Sequence, residues 1–159
     1  MGAGDRHSAP PGAPRRHAEP QSILFVCTLN SVRSPMAEAI AKHLRGKRLY
    51  IRSAGVRPAG APDGFAIAVL AECGIDMTRH EPSALAELQD DSFDLIVTLS
   101  PEAHRHVLDR TRTLSVDVEF WPAFDPQTFE GSRDEQLEAY RSLRDFLWQK
   151  IDQRFPVQS

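Results

Sequence analysis

From residue 23 onward, short apolar runs alternate with amphipathic stretches, and the two periodicities separate strands from helices. Ile23-Leu24-Phe25-Val26 is apolar without a break, the pattern of a strand buried on both faces of a parallel sheet. Ser34-Pro35 predicts a helix start, with the serine as N-cap and the proline at the first helical position. Met36, Ile40 and Leu44 supply that helix with an apolar stripe, and Gly46 ends it. A second strand is expected over 49–53, and a second helix over 63–73, capped by Asp63 and stopped by Gly74. A third strand over 94–99 runs into Ser100-Pro101, which repeats the serine-proline start, and a fourth strand is expected over 116–120. Ser132 and Glu135 form a capping box for the last helix, whose apolar face is Leu137, Tyr140, Leu147, Ile151 and Phe155.

Strands that alternate with helices require right-handed crossovers, so the expected fold is α/β: a three-layer arrangement with a four-stranded parallel sheet and helices on both faces. Ligands of such sheets bind beyond the carboxyl ends of the strands, where the first strand delivers Cys27.

Composition narrows the setting. Residues 1–20 hold Pro10, Pro11, Pro14 and Pro20 with Gly2, Gly4 and Gly12, and no large apolar side chain follows Met1. Such a segment cannot offset its ordering entropy by burial, so 1–20 is expected to be a disordered tail and 21–159 a single domain. The formal net charge of −3, from 19 basic and 22 acidic residues, gives no basic field for nucleic acid. No apolar run reaches the ~20 residues of a membrane span. The start carries no secretory pattern, and Arg6 breaks the myristoylation motif that Met1-Gly2 would open. Two cysteines, Cys27 and Cys73, suit a reducing compartment, and a cytoplasmic protein is expected.

The chemistry concentrates in one loop. Thr28, Leu29, Asn30, Ser31 and Val32 lie between the strand-ending Cys27 and Arg33, just before the helix. Successive backbone N–H groups that close onto a helix N-terminus form a concave anion site, and an arginine adds a planar fork for two phosphate oxygens. The same positive surroundings favour a thiolate, so Cys27 is expected to attack phosphorus in line and form a phosphocysteine. His104 and His106 stand two apart on a helix and make a poor metal pair. Asp90 and Asp91 fall in a polar connection, and Cys73 reads as a small buried residue. Neither a metal nor another cofactor is expected.

The run Val26-Cys27-Thr28-Leu29-Asn30-Ser31-Val32-Arg33-Ser34-Pro35-Met36-Ala37-Glu38 resembles the phosphate-binding loop of low-molecular-weight protein tyrosine phosphatases and of arsenate reductases that share their fold. The resemblance continues through Ser53-Ala54-Gly55, Gly74-Ile75-Asp76, His80, Asp94-Leu95-Ile96-Val97 and Asp125-Pro126. It implies Asp125 as the general acid, Ser34 as a hydrogen-bond partner of the Cys27 sulfur, and Asn30, Ser53 and His80 as a network that braces the loop. A phosphorylated protein or a small phosphate ester is then the expected substrate, with arsenate as the other oxyanion.

Several positions depart from the family pattern. Leu29 occupies a usual glycine site, where glycine eases unusual backbone angles. Val32 replaces a cysteine that protects the nucleophile as a disulfide in many relatives. Gln127 and Val56-Arg57-Pro58 stand where phosphotyrosine enzymes place aromatic walls. Ser100 stands where the thioredoxin-coupled arsenate reductases carry a resolving cysteine. Three functions are therefore carried forward: a phosphomonoester hydrolase, an arsenate reductase that draws on an external small thiol, and a phosphate-binding module with weak turnover.

Overall fold

The computed structural model describes residues 19–88 and 93–157. Residues 1–18 of the expected tail, together with Asp90 and Asp91, lie outside the described residues, while Pro20 is buried.

Strands β1 (Ser22–Cys27), β2 (Tyr50–Gly55), β3 (Leu95–Thr98) and β4 (Asp117–Phe120) form a parallel sheet in the order β2-β1-β3-β4. β1 is unbroken in its hydrophobicity because both of its faces are covered. Ile23 and Phe25 pack with Met36, Ile40, Leu143 and Leu147, beneath helices α1 (Arg33–Arg45), α2 (Gly64–Ala71) and α4 (Arg133–Arg154). Leu24 and Val26 point the other way, onto Leu85, Ala103 and Val107 of a 3₁₀ turn (Leu85–Glu87) and helix α3 (Pro101–Arg110). The expected three layers follow directly. β2 extends to Gly55, two residues past the expected end, because its pairing with β1 continues to Cys27.

From β1 the chain winds first to β2 on one side, and later to β3 on the other. This reversal creates a switch point at the carboxyl ends of β1 and β3, and Cys27 sits there.

The helix starts obey their local signals, with one exception. Asp63 caps α2 by accepting from Phe65 N–H (2.8 Å) and Ala66 N–H (3.1 Å), and Gly74 takes the left-handed backbone (φ 75°) that terminates its last turn. Helix α2 itself ends at Ala71, short of the expected 73. Ser100 caps α3 by accepting from Ala103 N–H, and Ser132 and Glu135 close the capping box of α4. Ser34 does not cap α1. The N-cap is Val32, which offers no side-chain acceptor, and Ser34 lies inside the first turn with Pro35 at the third helical position. Proline is tolerated there because the first-turn N–H groups have no intrahelical acceptor. The Ser34 hydroxyl is engaged elsewhere.

Candidate active site

The loop between β1 and α1 is wrapped on its outer side by the segment that follows β2. The carbonyls of Cys27, Thr28, Leu29 and Ser31 accept from the N–H groups of Val56 (3.1 Å), Arg57 (2.8 Å), Ala59 (2.8 Å) and Asp63 (3.0 Å). Four loop carbonyls are thereby tied to the flanking segment, which leaves the loop N–H groups as the donors available to an anion. Gly55 permits the close approach: a Cβ there would lie 2.8 Å from Asn30 Cβ and 2.9 Å from Asn30 N.

Cys27 is buried at the base of this cradle. Its Sγ accepts from Asn30 N–H (3.2 Å) and Ser34 N–H (3.4 Å), and the Ser34 hydroxyl lies 2.9 Å away. Two backbone N–H groups thus point at the sulfur, and the Ser34 hydroxyl can add a third donor when its proton turns from Ala54 O (3.3 Å).

Asn30 carries the only left-handed non-glycine backbone among the described residues, with φ 54°. Asparagine tolerates this conformation better than other side chains. Leu29 avoids it, so position 29 has no need of glycine for its backbone angles. The twist at Asn30 sends its amide into the protein, where every hydrogen-bonding position is used. Nδ2 donates to Ser34 Oγ (2.7 Å) and Ser53 Oγ (3.1 Å), while Oδ1 accepts from Ser83 N–H (2.9 Å) and meets His80 Nε2 (3.1 Å). Ser53 in turn donates to Glu38 Oε1 (2.5 Å), whose other oxygen receives Lys42 Nζ (2.6 Å). His80 Nδ1 faces the same Glu38 oxygen at 3.6 Å. Burial lowers the His80 pKa, and this outweighs the opposing pull of the Glu38 charge.

Arg33 leaves the first residue of α1 and reaches across the cleft. Its Nη1 donates to Ala123 O (3.1 Å), and its Nη2 lies 3.9 Å from Asp125 Oδ2. Asp125 caps the 3₁₀ turn Pro126–Thr128 through Gln127 N–H (3.0 Å), which fixes the carboxylate beside the guanidinium. Thr28 Oγ1 and Ser100 Oγ lie 3.0 Å apart on the opposite wall, near an Arg57–Glu102 ion pair. Val32 is buried.

The fold thus brings together the sequence-derived set: Cys27, Ser34 and Asn30 at the sulfur, Ser53 and His80 behind the loop, and Arg33 with Asp125 across it. Sequence reasoning missed Glu38, which terminates the bracing network, although a glutamate set between Ala37 and Ala39 in an apolar stretch of helix was a visible signal. It also read Asp63 as a cap alone. Asp63 Oδ2 accepts from Tyr140 Oη (3.2 Å) and Gln127 Nε2 (3.3 Å) as well, a link between residues 64 and 77 positions apart that no local pattern announces. Cys73 is partly buried and packs against the core. His104 is absorbed by the fold: Nδ1 pairs with Thr98 Oγ1 (2.9 Å), and its ring stacks on Phe120. No cluster of three or more His, Cys, Asp or Glu able to hold a metal occurs among the described residues, and no described helix is long and apolar enough to cross a membrane.

Residues 22–152 match the family model of the low molecular weight phosphotyrosine protein phosphatases. An arsenate reductase of Halalkalibacterium halodurans is 32% identical over 129 residues, spanning 81% of this chain and 91% of that protein. Among solved structures, a YwlE arginine phosphatase variant with a phosphorylated active-site serine is 28% identical, with a TM-score of 0.66, and covers 83% of this chain and 94% of its own. The Erwinia amylovora tyrosine phosphatase amsI shares the fold, with a TM-score of 0.70 at 22% identity, covering 86% of this chain and 91% of its own.

Proposed function

The chain belongs to the low molecular weight phosphotyrosine protein phosphatase family, and on that premise we propose that it is a phosphomonoester hydrolase working through a phosphocysteine on Cys27. The observation that carries this reading is the convergence of Asn30 N–H, Ser34 N–H and the Ser34 hydroxyl on the Cys27 sulfur, with Arg33 and Asp125 side by side across the cleft.

In the first step the sulfur attacks phosphorus, the phosphorus–oxygen ester bond breaks, and Asp125 gives its proton to the departing alkoxide or phenoxide. Arg33 and the loop N–H groups hold the equatorial oxygens. In the second step a water loses its proton to Asp125 and attacks phosphorus. The sulfur then departs toward the Ser34 hydroxyl, which stabilises it as a thiolate. The substrate is a phosphorylated protein or a small phosphate ester. The YwlE arginine phosphatase variant supports a covalent phosphoenzyme at an active-site residue of this fold.

Steady-state hydrolysis of an aryl phosphate tests the proposal. Turnover should vanish in Cys27→Ser and fall by at least about 10³-fold in Arg33→Ala. Asp125→Asn should lose about 10²-fold or more on substrates with poor leaving groups. Retained activity in Cys27→Ser would exclude the mechanism.

A second reading is supported by the arsenate reductase relative. Cys27 would attack arsenate, and two equivalents of a small thiol would supply the two electrons that reduce it to arsenite. An external thiol is required because Ser100, fixed against Thr28 at the cleft wall, cannot form a disulfide. Arsenite release that depends on added glutathione distinguishes this reading from the first.

A further inference from the structure

The acid-bearing turn and the nucleophile loop come from opposite ends of the chain, yet one side chain touches the supports of both. Asp63 N–H donates to Ser31 O of the loop (3.0 Å), and Asp63 Oδ1 caps α2. Its second oxygen, Oδ2, is spent on neither task. It accepts from Gln127 Nε2 (3.3 Å) on the acid-bearing turn and from Tyr140 Oη (3.2 Å) on α4. Gln127 holds the other end as well, since its backbone N–H donates to Asp125 Oδ1 (3.0 Å). A continuous path therefore runs from Ser31 through Asp63 and Gln127 to Asp125, whose far oxygen faces Arg33.

We infer that Gln127 and Asp63 form a latch that positions Asp125 to protonate the leaving group, making both of them positioning residues of the hydrolase. The inference rests on the phosphatase reading above. Three features support it. Gln127 is exposed, and the hydrogen bond of its side chain goes to Asp63, so truncating it removes the link at little cost in burial. Tyr140 is buried, and its hydroxyl is kept protonated chiefly by burial and then by the nearby Asp63 and Asp125 charges, so it remains a donor to Asp63 across the working pH range. The turn that carries Asp125 is a single 3₁₀ turn with one buried residue, Pro126, and such a short element needs a second anchor to hold a proton donor within bonding reach.

The latch makes a demand that general loss of structure would not: the effect must depend on the leaving group. Gln127→Ala removes the side-chain link and leaves the backbone N–H to Asp125 in place. It is expected to lower kcat/KM by about tenfold on phenyl phosphate, whose leaving group needs the proton, and by less than about twofold on p-nitrophenyl phosphate, whose leaving group does not. Gln127→Glu, which sets a carboxylate against Asp63, should show the same asymmetry, and Tm should stay near that of the wild type in both variants. Equal losses on the two substrates, or none, would overturn the inference. Amide hydrogen exchange over 127–129 provides a reading independent of turnover. Exchange should quicken in Gln127→Ala, and unchanged exchange would overturn the latch even in an active enzyme. If the wild type hydrolyses neither substrate while exchange still quickens, the latch stands as a structural link and the phosphatase reading is what fails.

Discussion

At the scale of single residues, the site depends on side chains that hold two partners at once. Ser34 Oγ receives Asn30 Nδ2 and lies 2.9 Å from Cys27 Sγ, with Ala54 O at 3.3 Å as the other place its proton can go. Replacing it with alanine deletes the donor that stabilises the sulfur as it leaves phosphorus. The second chemical step should therefore slow more than the first, with kcat falling by roughly 10–10²-fold and KM falling with it. Rapid-mixing assays on a good leaving group would then show a product burst and a trappable phosphoenzyme, neither of which accumulates if Ser34 is only structural. Asn30 loses one of its two Nδ2 acceptors in the same variant, a buried donor left short, at a cost of about 1–3 kcal/mol. The lowered kcat must accordingly be measured well below the variant's melting range.

At the scale of elements, the chain contains the same dipeptide twice, and the two copies do different work. Ser100-Pro101 caps α3, whereas Ser34-Pro35 sits within the first turn of α1 with the serine hydroxyl beside the Cys27 sulfur. Periodicity and turn chemistry made the strands, the helices and the sheet's working edge legible, because those depend on local pattern and on which faces are buried. The fate of the Ser34 hydroxyl was legible only through the family resemblance, since it depends on Asn30 and Cys27 folding back over it. The wrap of 56–63 around the loop was not legible at all, because it is made of backbone N–H bonds that any residue but proline can form. Gly55 is its sequence-visible trace. Alanine at 55 would bring a Cβ to 2.8 Å from Asn30 Cβ and 2.9 Å from Leu29 C, so the loop and β2 must separate. The expected result is a loss of about 1–3 kcal/mol in chemical denaturation together with a loss of phosphate affinity. Weakened stability with unaltered product inhibition by phosphate would show that the loop does not depend on this contact.

At the scale of the whole molecule, the bracing network ties the loop to β2, α1 and the segment after α2, so its protonation should be felt in global stability. His80 is the titrating member. Its Nε2 meets Asn30 Oδ1 at 3.1 Å, and Asn30 in turn reaches Ser34 and Ser53. Burial depresses its pKa below the ordinary value, so the folded protein favours the neutral ring, while the unfolded chain takes up a proton at about 6.5. The sign follows from linkage: above about pH 6.5 both states carry the ring neutral and its contribution is fully present. As pH falls below that point the unfolded state binds the proton first, and stability is lost until the folded-state ring is protonated as well. Denaturation of the wild type between pH 7.5 and 5.5 should therefore show a decline that is shallower in His80→Gln, where an amide can reach Asn30 from a similar position without titrating. If the two proteins lose stability in parallel over that range, His80 is not the group responsible, and the decline belongs to the carboxylates that titrate below it.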